Sequence, residues 1–204
     1  MTAADFDAWR AAYPTMSFAD HQDYGLRLAA EYPDQFSVSI VDLALYLSKR
    51  RQPLRVIEVG GWKGEVASLV LCSRIKVESW TNYEIVPLTP RCEDPRYQHC
   101  TLKDWVWNTP VSRDATTAVL SHVIEHLSRE HVECMVDWVG RTSVKYVYVE
   151  APITPEGRAD WTGCLGTHIL DVGWDAVEVM FRTAGFNCVH RRNDPHHAQR
   201  WFAR

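Results

Sequence analysis

The sequence predicts an α/β fold, a mostly parallel sheet with helices on both faces. From Leu54 onward, β-branched runs alternate with segments of helical period. The first of these runs ends in a glycine-rich turn that leads straight into a helix. The last two runs follow each other around Asp194-Pro195, so the sheet should close on an antiparallel hairpin. Together they predict seven strands. A length of 204 residues fits one domain, with 1–35 expected as an N-terminal cap segment and 36–204 as the core.

Each element has its own signal. Residues 3–12 read as a helix stopped by Pro14, and residues 20–32 as a second closed by Pro33. Residues 36–51 carry a helical period through Val38, Val41, Leu43, Leu45 and Leu47. Lys49, Arg50 and Arg51 fill its last turn, where the helix dipole favours cations. Pro53 resets the pattern, and LRVIEVG at 54–60 reads as a buried strand. Residues 65–73 read as a helix. Strands follow at SWTNYEIV, 96–102 and 116–121, with the polar-aromatic KDWVWN after the third. A helix over 128–139 precedes the strand VKYVYVEAP, which ends at Pro152. Residues 154–167 form a glycine-containing loop. Residues 174–184 form a helix capped by Gly185 in the left-handed region, before FNCVHR and QRWFA pair.

Composition removes several function classes. With 22 Lys+Arg against 26 Asp+Glu, the net charge is −4 and the pI about 6.1. That balance lacks the footprint of a general nucleic-acid or anionic-membrane binder. Apolar runs such as residues 66–72 are too short to span a bilayer. The first residues carry acids and no apolar stretch of a signal peptide, so a cytoplasmic setting is expected. The six cysteines form no C-x-x-C pair and read as reduced thiols. Among nine tryptophans, Trp62, Trp105, Trp107 and Trp161 lie near turns, where they serve packing or wall a pocket for a flat ligand.

The chemistry concentrates at Glu58-Val59-Gly60-Gly61-Trp62-Lys63-Gly64, between a strand and a helix. Glycines there let the backbone turn sharply and approach a ligand. The next strand ends at Glu84, twenty residues after Gly64 (84 − 64), where an acid can accept hydrogen bonds from a ribose diol. The pair describes a nucleoside-containing cofactor over the sheet's switch point.

From Leu54 to Arg204 the sequence resembles the class I S-adenosylmethionine-dependent methyltransferases, which have a Rossmann-like fold. VIEVGGWKG resembles that family's first motif: Glu58, Gly60 and Gly64 match, Gly61 fills a variable position and Trp62 replaces the middle glycine. NYEI resembles the second motif, with Glu84 as the ribose-binding acid. LKDW resembles the third, which gives Asp104 and Trp105 the adenine. DATTAVLSHVIEHL resembles the fourth-strand segment, with Ser121 and His122 at its mouth. VYVEAP and FRTAGFNCV resemble the fifth strand and the passage into the sixth. The resemblance implies S-adenosyl-L-methionine as cofactor, bound by Glu58, Gly60, Gly61, Trp62, Gly64, Glu84, Asp104, Trp105 and Ser121.

Transfer from a sulfonium asks for alignment and exclusion of water, and for a base where the acceptor must lose a proton. His122 is the first candidate base, His168 the second and His21 the third. His122 and His126, four residues apart, could share a metal, but no third ligand follows at a telling spacing, so no metal is expected. There is no N-P-P-[YFW] motif for base amines and no Pro-Cys nucleophile. The expectation is methyl transfer to an O or N atom of a small-molecule acceptor, such as a secondary metabolite or sugar-like compound. The alternatives are an RNA or protein methyltransferase, to which Arg191, Arg192 and Arg200 would contribute, and a non-catalytic cofactor-binding interaction subunit. Trp9, Tyr13, Phe18, His21 and Tyr24 suit an acceptor wall and equally a homodimer contact.

Overall fold

The computed structural model describes residues 16–31, 40–50, 53–153, 170, 172–194 and 198–204. Residues 3–12, the 154–167 loop, His168 and the turn at Pro195 lie outside them. Two helices come first, α1 (Phe18–Glu31) and α2 (Ile40–Ser48). The sheet region then runs β1 (Leu54–Val59), α3 (Glu65–Leu71), β2 (Val77–Glu84), β3 (Tyr97–Thr101) and β4 (Thr117–Ser121). It continues through α4 (Arg129–Gly140), β5 (Tyr146–Ala151), α5 (Trp174–Thr183), β6 (Asn187–Arg192) and β7 (Ala198–Ala203).

The strands form one seven-stranded sheet in the order β3-β2-β1-β4-β5-β7-β6. β1 to β5 pair in parallel, and β7 runs antiparallel to both β5 and β6. The alternation and the closing hairpin expected from the sequence are both present. The chain builds outward from β1 to β3, then crosses back to place β4 on the other side of β1. That reversal opens a crevice at the carboxyl ends of β1 and β4.

The central strands are buried along nearly their whole length because helices cover both faces. On one face α4 and α5 pack Met135, Trp138, Val177 and Phe181 against Ile57, Leu120 and Val149. On the other, α2 and α3 pack Leu43, Leu47, Val66 and Val70 against Val56, Trp80 and Tyr148. β6 is an edge strand and largely exposed.

Two sequence expectations need correction. In α2 the buried positions are Leu43, Tyr46 and Leu47, while Val41 and Leu45 face solvent. Residues 43, 46 and 47 share one helical face, whereas 41, 43, 45 and 47 alternate with a strand's period. α1 begins before Asp20, because Ser17 and Asp20 form a capping box. The Ser17 backbone N–H donates to Asp20 Oδ2 (2.8 Å), and the Asp20 N–H donates back to Ser17 Oγ (3.2 Å). No helix among the described residues is long and apolar enough to cross a membrane.

Candidate functional site

Two side chains of β2 hold the glycine-rich turn. Asn82 Oδ1 accepts the Gly61 N–H (3.0 Å), and Asn82 Nδ2 donates to the Trp62 carbonyl (3.1 Å). Glu84 Oε2 accepts the Trp62 N–H (2.9 Å), and Oε1 accepts the Val86 N–H (3.1 Å). These bonds keep Trp62 at φ +52°, a left-handed conformation that costs a non-glycine residue roughly 1 kcal/mol or more. Gly60 has φ +71°, and a Cβ there would press on Val123. His122, the residue before Val123, is left-handed too, at φ +51°.

A cavity of about 200 Å³ opens at the strand ends. Gly60, Trp62, Glu84, Trp105 and His122, all singled out from the sequence, line it. Glu84 and His122 stand roughly 10 Å apart across it, two strand spacings with β1 between. Trp105 stacks on Trp107 (centroids 4.8 Å, 7° between planes), and His131 of α4 lies 4.4 Å from the Trp105 ring. α1 forms the remaining wall with His21, Tyr24 and Gly25. Gln22 Nε2 fastens α1 to the strand ends through the Ile85 (2.7 Å) and Leu102 (3.2 Å) carbonyls.

The other expected contacts lie elsewhere. Glu58 is buried beneath the turn, where its carboxylate accepts the Trp80 indole N–H (2.8 Å) and supports the loop from inside. Gly61 faces that carboxylate and Asn82, and Gly64, at φ +82°, faces the Tyr97 ring. Asp104 caps its own turn, accepting from the Trp105 N–H (2.7 Å) and Asn108 Nδ2 (2.9 Å). Ser121 is buried beside Glu150, 3.5 Å from Oε2. None of these five lines the cavity. Trp107 does, one of the tryptophans the sequence offered as a pocket wall, and so do Ile85 and Met135, to which sequence reading assigns no role. Ile85 was findable as the residue after the strand-tip acid, but Met135 comes from the inner face of α4, which no motif marks.

Electrostatics divide the histidines. Burial, reinforced by His131, pulls the His21 imidazole down to about 4, so it is neutral at pH 7. Burial also pulls on His122, but the hydrogen-bonded Glu125 carboxylate and the nearby Glu150 carboxylate outweigh it and bring the group up to about 9. His122 Nδ1 lies 3.1 Å from Glu125 Oε1, and Nε2 lies 3.8 Å from Glu150 Oε1. That environment favours the protonated ring at neutral pH, whereas a general base must present a neutral one. Burial raises Glu58 to about 8, against the Trp80 hydrogen bond, and raises Glu84 to about 7, against its backbone donors. Among the described residues no group of three or more His, Cys, Asp or Glu is placed to hold a metal ion.

Solved structures share this architecture. CalO1, a methyltransferase in calicheamicin biosynthesis with S-adenosylhomocysteine bound, matches over 93% of this chain with a TM-score of 0.65 and 17% identity. The chain spans 61% of CalO1's length. The 1,6-didemethyltoxoflavin-N1-methyltransferase of Burkholderia thailandensis matches over the full chain and 90% of its own (TM-score 0.64, 13% identity). An Archaeoglobus fulgidus S-adenosylmethionine-dependent methyltransferase matches over 84% of this chain and 80% of its own (TM-score 0.60, 15% identity). The chain has the class I methyltransferase fold. No protein-family model matches the sequence, and no curated protein matches it. At these identities the shared property is the methyltransferase fold itself, and the cavity lies at its switch point.

Proposed function

We propose that this chain is an S-adenosyl-L-methionine-dependent methyltransferase that methylates an O or N atom of a small molecule. The observation that carries the reading is the cavity itself. It joins an acid at the tip of β2, a flat aromatic and aliphatic wall from Trp105 and Ile85, and a close-approach glycine at Gly60. These suit a ribose diol, a planar base and a chain lying over the turn. When bound, S-adenosylmethionine supplies a methyl group already activated on a sulfonium. Glu84 would accept from the ribose hydroxyls, Trp105 would wall the base, and α1 would exclude water above it. The small-molecule acceptor is supported by the acidic charge balance and the mostly apolar walls. In the Burkholderia neighbour, 1,6-didemethyltoxoflavin is bound together with S-adenosylhomocysteine.

The proposal includes one domain, with the segment through α1 as a cap on a core of residues 36–204. It also includes a cytoplasmic setting, where the five free cysteines among the described residues would stay reduced. Calorimetry with S-adenosylmethionine and S-adenosylhomocysteine tests cofactor binding, and absence of both overturns the reading. Transfer of a tritiated methyl group into separate metabolite, RNA and protein pools then tests the acceptor. Label confined to RNA or protein refutes a small molecule, and binding without transfer to any pool refutes an enzyme.

A further inference from the structure

Glu150 is a fully buried carboxylate at the end of β5, opposite Ser121 of β4 and Gln199 of β7. The Tyr148 hydroxyl donates to its Oε2 (2.8 Å), which fixes the carboxylate in place. Its other oxygen points toward His122, and its carbonyl accepts the His122 backbone N–H (2.8 Å). Glu125, equally buried, meets the imidazole from the turn after β4. The ring thus lies between two carboxylates from two different elements, on a left-handed backbone, with one edge in the cavity. Stability alone does not account for such a group, because a buried charge exchanged for well-packed apolar atoms often leaves a fold equally stable.

We propose that Glu150 is a positioning residue of this site: with Glu125 it fixes the His122 ring in the cavity wall as a cation whose two N–H groups face the two carboxylates. The ligand facing that ring is the cofactor or acceptor of the methyltransferase reading, on which the proposal rests for the ligand's identity. The groups around His122 are Glu125 and His126 on its own turn, Glu150 and Tyr148 on β5, and Ser121 at the end of β4. Across the cavity stand Glu84 on β2 and His21 and Tyr24 on α1. A ring whose two N–H groups face carboxylates has no lone pair to take up a proton, so an acceptor that must lose one gives it to water rather than to His122.

The test follows the imidazole directly. The ring signals of His122 are assigned in isotope-labelled full chain by their loss in His122→Asn, then titrated by NMR. Wild type should show an imidazolium at pH 7.5. Glu150→Gln should lower the titration midpoint by about one unit, a tenfold loss of proton affinity. Tyr148→Phe should keep the charge and move the midpoint less. A neutral His122 at pH 7.5 in wild type overturns the proposal. So does an unmoved midpoint in Glu150→Gln that keeps the wild-type circular dichroism. If Glu150→Gln does not fold, Glu125→Gln decides by the same measurement. Methyl-transfer rate should stay flat between pH 6 and 7.5; a rise there tracking loss of an imidazole proton counts against it. Failure to bind S-adenosylmethionine overturns the functional reading and leaves the titration result standing.

Discussion

Trp62 donates its backbone N–H to Glu84 Oε2 across 2.9 Å, so the strand-tip acid also shapes the turn it faces. Glu84 therefore has two tasks, and substitution should expose both. Glu84→Ala leaves the Trp62 and Val86 N–H groups without their acceptor. It should cost about 1–3 kcal/mol of folding stability and weaken cofactor binding by about 1.5–3 kcal/mol. Glu84→Gln keeps one good acceptor and should fall between. Chemical denaturation and calorimetry on the same samples separate the losses; unchanged affinity in Glu84→Ala means that the ribose lies elsewhere.

The two central glycines should fail for different reasons. Gly60→Val meets Val123 and must hold a positive φ, so it should abolish cofactor binding. From the sequence, Gly61→Ala would look mild. In the structure a methyl at Gly61 runs into the buried Glu58 carboxyl group and Asn82 Oδ1. Gly61→Ala should thus lower the melting temperature by several degrees, the scale of a 1–3 kcal/mol overpacking cost in a domain this size. A wild-type melting temperature in Gly61→Ala would show that Glu58 yields without cost.

These glycines also mark how far the sequence was legible. The alternation of strands and helices and the closing hairpin follow from runs and turns, which are local signals, so the elements of the sheet were readable from Leu54 onward, while the strand order β3-β2-β1-β4-β5-β7-β6 comes from tertiary pairing. Gly60, Trp62, Glu84, Trp105 and His122 could be brought together from the sequence because each lies at or just after the carboxyl end of a strand, where the switch point opens. Glu58, Asp104 and Ser121 do not line the cavity, because a motif gives position along the chain and not which way a side chain turns. Glu58 turns inward to Trp80, and Asp104 turns onto its own backbone. The charge on His122 was not readable, since Glu150 comes from a separate strand that only tertiary pairing brings alongside.

Glu58 should make the protein less stable as pH rises. Burial holds its folded value near 8, above the ordinary 4.5. The unfolded chain therefore releases this proton first, and the contribution, fully present below about pH 4.5, is lost as pH rises through about 8. Glu58→Gln keeps an acceptor for the Trp80 indole and has nothing to titrate. It should match wild type near pH 4.5 and gain on it progressively as pH rises toward 8. Urea denaturation at both values measures the difference; a constant gap would rule out titration of Glu58 as the cause.

α1 should make the opposite demand, on the acid side, through His21. Its imidazole sits near 4 in the folded chain against an ordinary 6.5, because it is buried against Trp105 with His131 close by. A lowered value means that protons bind the undocked segment first. Stability from docking is complete above about pH 6.5 and drains away as pH falls toward 4. His21→Phe fills the same aromatic contact without a charge, so its melting temperature should fall less between pH 6.5 and 4.5, by an amount worth about 1–2 kcal/mol. The same wall sets the outcome of removing the segment. Since His21 and Tyr24 line the cavity that holds Gly60 and Glu84, a chain beginning at Asp34 should lose cofactor affinity as well as transfer. The sequence alone would have α1 touch only the acceptor, leaving cofactor binding intact. Calorimetry on the shortened chain distinguishes them, and wild-type affinity would return α1 to the acceptor side alone.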